Sequence, residues 1–538
     1  MNPLPASRLL MGPLAGFALL LTLAGCDDAL QTAANDASVA QSQLAAGNLD
    51  EARESIRRAI GARDDVAAYY VLLGRIELQA QRPASAFNAY SMALDLQADN
   101  PEVLQSIAEL GLQTGRIREA GEAADRMLLL APGSTRAMLV KGFIAIDGGR
   151  LDEARRMASE ILTANPNDEG GVILSARLDA LEGDIEKAMT GITRAISVIG
   201  ETDALHVTLL EIYRVQGDAR GMRRVFPLIL KSMNDNSGYQ IDYINLLYKS
   251  GDIAAARAEA VQAIEAKPND TGLLRALGDL WLEYDRRPLS AAQLSYLAES
   301  GTRASQLALA RIYLDIGEPG NAEQLLARSF GNGVAEAQGL MARVRLARGD
   351  VKRAGAMATR VLERDPRNED GLLVRSALHL ASGTPDRAIE DASVVVSDAP
   401  QEYLGYVALA KAYNAKGSSI RARQTFERGM DALPQSRMLA GAYRDFLLAE
   451  GDRARVVSLY QELAMAKPSS VPAWSAFARV CTEFGDELCA AKVASGLARA
   501  KSNFAVDDPP GTPHRRGLFA RITPEQICAT TGGICTGS

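Results

Sequence analysis

Five cysteines and three histidines hold most of the chemistry open to this 538-residue chain. A thiol can be acylated, oxidised to a disulfide or bound to a metal. The cysteines are Cys26, Cys481, Cys489, Cys528 and Cys535. A metal would need Cys and His at close ligand spacing. Only His514 stands near the last four thiols, and its spacing to them is wrong, so no metal and no cofactor is predicted. His206 and His379 lie far from each other in sequence and read as surface or groove residues. There is no G-x-S-x-G elbow, no H-E-x-x-H, no phosphate-binding P-loop and no calcium loop. Carboxylates are plentiful, but at the ordinary charged spacing of solvated helix faces. No catalytic residue is assigned, and the chain reads as a non-enzyme.

The elements that must position these residues repeat. A small residue recurs every 34 positions at Ala52, Ala86, Ala120, Ala154 and Ala188, continuing through Met222, Ala256 and Ser290. Two steps of 32 lead to Ala322 and Ala354, and the 34-step resumes at Ala388, Ala422, Val456 and Ala490. The segment from Tyr403 to Ser436 displays the unit most clearly. Tyr406, Leu409, Ala410 and Tyr413 share one helical face, and Ala422, Phe426 and Gly429 share another. Between the two lies a turn built on Gly417. It recurs at Gly47, Gly115, Gly149, Gly183, Gly217, Gly251, Gly349, Gly451 and Gly485, where glycine supplies a positive φ. A following Asp or Asn, as in Gly47-Asn48 or Gly183-Asp184, is placed to cap the second helix. Proline closes the unit at Pro132, Pro166, Pro268, Pro366, Pro400, Pro434 and Pro468.

Tyr406, Leu409, Ala410, Tyr413, Ala422, Phe426, Gly429 and Pro434 follow, in order, the pattern of the tetratricopeptide repeat, which the unit resembles. Trp474, Phe477, Ala478 and Ala490 match in the last unit, and Gly74, Ala86, Tyr90 and Ala93 in an early one. The resemblance covers roughly residues 33 to 503. It implies an all-α superhelical solenoid of about fourteen helix pairs, in which each unit supplies surface to its neighbour. Met222, Val456 and Arg444 depart from the small residues of the pattern. The two 32-residue steps between Asp285 and Ala354 predict shortened loops between repeats. In such folds the first helices line a concave groove that takes peptides or helices of partners. By register that groove includes Arg177, Asn245, Tyr248, Arg311, Arg343, Lys411 and Asn414. Asparagine can hold an extended backbone, and Arg or Lys can take carboxylates.

The amino terminus carries Arg8 and then an apolar run from Leu9 to Leu23, too short and too early for a working transmembrane helix and typical of a secretory signal. It ends in Leu23-Ala24-Gly25-Cys26, which resembles the bacterial lipobox. That resemblance implies cleavage before Cys26, lipidation of its thiol and a stable membrane anchor. The expected organisation is a signal peptide at 1–25, a lipidated tether at 26–38, the solenoid at 39–503 and a proline-rich, cysteine-containing tail at 504–538. With Cys26 acylated, the remaining four thiols are even in number in an oxidising compartment and favour two disulfides. Local pairing would join Cys481 to Cys489 across the Gly485 turn and Cys528 to Cys535. The tail adds Arg515, Arg516 and Arg521 around Leu518 and Phe519, either a disordered end or a docking segment.

Forty-seven per cent of the chain is hydrophobic but only 5 % aromatic, which suits small-residue helix packing, and the formal charge is −7. The acidic balance argues against a nucleic-acid partner. Together these readings predict a lipid-anchored, periplasm-facing scaffold that binds proteins in its groove. It is similar to the repeat lipoproteins of Tad/Flp pilus assembly and of PEP-CTERM and exopolysaccharide systems. The competing expectation is a peptidoglycan- or polysaccharide-binding protein, with Tyr69, Tyr70, Tyr243, Tyr248, Tyr413 and Trp474 as sugar platforms. Which membrane holds the anchor stays open.

Overall fold

The computed structural model describes residues 17–233, 237–286, 288–331 and 333–504, and side chains within this range except those of 17–29 and 328–332. Among these residues lie 28 α-helices and no strand, which makes fourteen helix pairs. The described chain divides into two compact units, one running to Ile212 and the other beginning at Tyr213. The division falls within helix Asp203–Gln216.

Within a unit each pair is built the same way. Gly47, Gly115, Gly149, Gly183, Gly217, Gly251, Gly349, Gly451 and Gly485 all take a positive φ, between 66° and 90°. A side chain with a Cβ is strained there, so glycine reverses the chain within two or three residues. Where the turn lacks glycine, Gln81 adopts φ 56° in its place. Asp184, Asp218, Asp252, Asp350, Asp452 and Asp486 each accept a backbone N–H of the helix that follows. Asn48 does not, and its helix starts without a side-chain cap.

The recurring small residue works as the spacing predicts. Ala52, Ala86, Ala120, Ala154, Ala188, Ala256, Ala322, Ala354, Ala388 and Ala422 have no exposed surface. Met222 and Val456 occupy the same place and are buried as fully, at 1 % and 0 % exposure. The facing helices give way elsewhere. A Cβ on Gly74 would stand 2.7 Å from Cζ of Tyr90, so the absent side chain makes room for the buried ring.

Two copies correct the register. Ser290 is not a packing residue: it is the N-cap of helix Ala291–Ser300 and makes a capping box with Gln293. That helix has ten residues where its counterparts have 13 to 16, and only Gly301 and Thr302 separate it from helix Arg303–Ile316. The first 32-residue step therefore combines a shortened helix with a shortened loop. In the last pair Ala490 is exposed and Cys489 is buried instead. Cys489 is joined to Cys481 with Cα atoms 5.5 Å apart, which brings the bridged face of helix Glu487–Ser502 inward.

The amino-terminal boundary also shifts. The segment expected as a tether is helical, because helix Phe17–Ala45 runs through it, and Ala33 and Ala40 are fully buried. The first pair thus starts earlier than position 39. The side chain of Cys26, the thiols Cys528 and Cys535, His514 and the arginines of the tail lie outside the described residues. No helix among those described is long and apolar enough to cross a membrane.

Candidate partner-binding groove

All seven groove residues fall on first helices of pairs, as their register requires, but the structure treats them differently. Lys411 and Asn414, on helix Tyr403–Ala415, are exposed. Asn245 is half-buried in a small recess lined also by Arg214, Asp242, Lys249, Ser469 and Phe504. Arg177 is only 1 % exposed and lies 5.2 Å from the ring centroid of Phe143. It belongs to the core of the first unit and offers nothing to a partner. Tyr248 is buried as well, stacked on Tyr284 at 5.6 Å, and its hydroxyl donates to Asp285 Oδ2 at 3.3 Å. Burial, and then the Asp285 charge, push its phenol upward. These two expectations are corrected.

Arg311 and Arg343 come together on one carboxylate. Arg311 Nη2 lies 2.8 Å from Asp370 Oδ2 and Arg343 Nη1 lies 2.7 Å from Oδ1. Asp370 is 2 % exposed, while the arginine side chains keep 32 % and 12 %. Helices of successive pairs lie side by side, so Arg343 meets Asp370 of the next pair, and Arg311, two pairs before Asp370, reaches the same carboxylate. A charged row along such a face meets its own repeats before it meets a partner. Burial works against the Arg343 charge, but Asp370 outweighs it and holds the guanidinium above its ordinary range. The two arginines are therefore structural partners of Asp370.

Asp315 lies beside this network and accepts a hydrogen bond from the Tyr403 hydroxyl at 2.8 Å, across 88 residues of chain. Burial raises its carboxyl to about 6, while Arg343 and the Tyr403 hydrogen bond pull it down and Glu402 pushes it further up. A carboxyl raised in the fold from 3.8 favours folding when protonated. That contribution is complete below about pH 4 and is lost as pH rises through 6. Asp315→Asn keeps an acceptor for Tyr403 and removes the titration. Urea midpoints followed from pH 4 to pH 7 are expected to fall less in this variant than in the parent chain; parallel curves would show that Asp315 is not the group responsible.

Sequence reasoning missed Asp370, Asp315 and Tyr403. None of them is on the groove row that the register picks out, so only the packed helices reveal the set. The sugar platforms fare poorly: Tyr70, Tyr243 and Trp474 are each 8 % exposed and Tyr248 4 %, while Tyr69 and Tyr413 are half-buried. His206 is buried rather than at the surface, and His379 is half-buried near Asp391. Among the described residues no group of three His, Cys, Asp or Glu side chains is placed to hold a metal.

A family profile described as Tetratricopeptide repeat matches residues 40–101, 107–169 and 340–403. The chain carries tetratricopeptide repeats. The same helix-pair geometry continues through the segments between and beyond these matches. Over 434 residues the repeat array is 25 % identical to cellulose synthase operon protein C of Xanthomonas axonopodis pv. citri, covering 79 % of this chain and 26 % of that protein. The chain thus spans about a quarter of that relative's length. It is also 24 % identical over 167 residues to anaphase-promoting complex subunit 7 of Dictyostelium discoideum, covering 31 % of this chain and 28 % of that protein. Among solved structures it is similar to a tetratricopeptide repeat protein of Parabacteroides merdae, with a TM-score of 0.39 and 17 % identity over 46 % of this chain and 98 % of the other. It is likewise similar to PilW, a type IV pilus biogenesis factor, with a TM-score of 0.31 and 18 % identity over 39 % of this chain and 96 % of the other. Relatives with such different names share the repeat, so the repeat by itself does not select among their roles.

Proposed function

We propose that the protein is a lipid-anchored scaffold that faces the periplasm and holds partner proteins on its first-helix face during assembly of a cell-envelope machine: a pilus, a secretion apparatus or an exopolysaccharide exporter. The observation that carries this reading is a run of fourteen helix pairs whose first helix, Phe17–Ala45, carries Leu23-Ala24-Gly25-Cys26 near its start. A repeat array supplies extended surface, and acylation of Cys26 would keep that surface beside a membrane. The likeness to cellulose synthase operon protein C, along 79 % of this chain, favours the exopolysaccharide arm. Burial of most of the candidate aromatic platforms makes direct glycan binding the weaker reading.

The test uses a photo-crosslinking amino acid at Lys411 and at Asn414, the two exposed groove residues, in intact cells of the source bacterium. Capture of the same envelope proteins from both positions is expected. Cys26→Ala is expected to move most of the protein from the membrane to the soluble fraction and to reduce that capture severalfold. Membrane retention of the variant would remove the anchor, and capture of no protein at either position would remove the groove.

A further inference from the structure

In the unit from Tyr213 onward, most contacts join a helix to its partner or to the next pair. A second class joins repeats far apart in sequence. The Lys249 ammonium, at the end of helix Ser237–Lys249, donates to the carbonyl of Ser469 at 2.8 Å and also to that of Asn503. It stands 4.7 Å from the ring centroid of Phe504. Lys467 forms an ion pair with Glu283, whose other oxygen accepts from the Ser470 hydroxyl at 3.2 Å. The side chains of this pair are 17 % and 7 % exposed. Arg437 adds a long contact of 3.5 Å to the Leu282 carbonyl. The end of the array thereby meets helices Ser237–Lys249 and Thr271–Tyr284, which stand 155 to 254 residues earlier.

These contacts have a different character from the pair-to-pair packing. They are charge-assisted: Lys249 and Arg437 donate to backbone carbonyls, and Lys467 pairs with the Glu283 carboxylate. Solenoid repeats keep their own packing when a distant contact is broken. Local openings of this kind are drawn from the least stable contacts of a fold. The location also bears on the groove. Asp279 stands one 32-residue step before Arg311 in the row that continues to Arg343 and Lys411, with Asn245 one repeat earlier. The recess at Asn245 is lined by Lys249, Ser469 and Phe504. Ser469 and Phe504 therefore cover Asn245 at this end of the row, while Asp279 stays exposed with the Lys467 charge acting on its carboxyl.

We propose that Lys249, Glu283 and Lys467 form a reversible electrostatic clasp, which closes the last repeats onto helices Ser237–Lys249 and Thr271–Tyr284 and opens, without unfolding any helix pair, to give partners access to this end of the groove. Salt screens the clasp and favours the open state. The inference goes beyond the scaffold reading and survives its failure, since it concerns the array alone.

Zero-length carbodiimide coupling of the full-length protein tests it. The reagent forms an amide only where amine and carboxylate are already paired. The Lys467–Glu283 product, quantified by mass spectrometry, is expressed as a ratio to the recovered uncoupled Lys467 peptide. Between about 20 mM and about 1 M NaCl the ratio is expected to fall about fivefold or more with helicity unchanged. A constant or rising ratio, or a parallel loss of helix, overturns the clasp. Glu283→Lys is expected to enlarge the hydrodynamic radius, and Glu283→Lys with Lys467→Glu to restore it. A double variant as expanded as the single one would overturn the assignment to this charge pair.

Discussion

Replacing Asp370 with alanine is expected to destabilise the unit from Tyr213 onward by about 3–5 kcal/mol, the cost of removing one partner from a buried ionic set. The carboxylate is 2 % exposed and its two oxygens are each engaged by a different guanidinium. Without it, Arg343 keeps a charge in a site that leaves its side chain only 12 % exposed. Of the other acids that act on Arg343, Glu402 and Asp315, the second is itself pushed toward its neutral form and compensates poorly. Asp370 is also the second residue of helix Glu369–Ala381, where a negative charge favours the helix by a further 0.3–1 kcal/mol or so. Tryptophan fluorescence during urea unfolding reads this unit alone, because the chain has two tryptophans, Trp281 and Trp474, and both lie in it. The control is a triple variant, Asp370→Leu with Arg311→Met and Arg343→Met. Apolar replacement of a whole buried ionic set is often neutral or better, so this variant is expected to recover most of the loss. A loss below about 1 kcal/mol for Asp370→Ala would mark the set as a surface one, and Arg311 and Arg343 would return to the groove.

That network explains where sequence reasoning stopped. The period of 34 located the helix pairs because glycine at φ near 80° and a residue with no room for a side chain are demands that each repeat makes alone. Such demands leave a mark at one position, and Ala188 or Gly183 can be read without its surroundings. The bridge between Cys481 and Cys489 was legible for the same reason, since it closes within one pair. Ser290 and Ala490 were misread because the period was carried past the point where local packing obeyed it: one pair has a short helix and the other carries a disulfide. The groove was legible only as a row. Register placed Arg177, Arg311, Arg343 and Lys411 on equivalent positions, but their exposure depends on what the neighbouring repeat presents. Phe143 faces Arg177 and Asp370 faces Arg343, whereas Lys411 is left exposed. Contacts such as Lys467 with Glu283 join residues 184 apart, and no periodic signal announces them.

Trp281→Ala is expected to lower stability by a similar amount, about 3–5 kcal/mol, and in addition to split the unfolding of this unit in two. The indole has no exposed surface and is the largest fully buried side chain described. Its helix, Thr271–Tyr284, has a poor second half to its pair: helix Ala291–Ser300 is short and packs against helix Pro319–Gly331 further on. Burial in this pair therefore rests heavily on Leu273, Leu274, Leu277 and Trp281. In a repeat array stability is a sum of unit and nearest-neighbour interface terms, so a weak unit uncouples what lies on either side. Trp474 remains as a reporter of the last pair in the variant. In the parent chain its fluorescence and the phase of the helical signal that belongs to this unit are expected to change together with urea. In Trp281→Ala the helical signal is expected to lose part of its amplitude at lower urea, before Trp474 responds. Coincident transitions in the variant would show that coupling passes through contacts other than this pair, of which the Lys249 and Lys467 bonds are the nearest available.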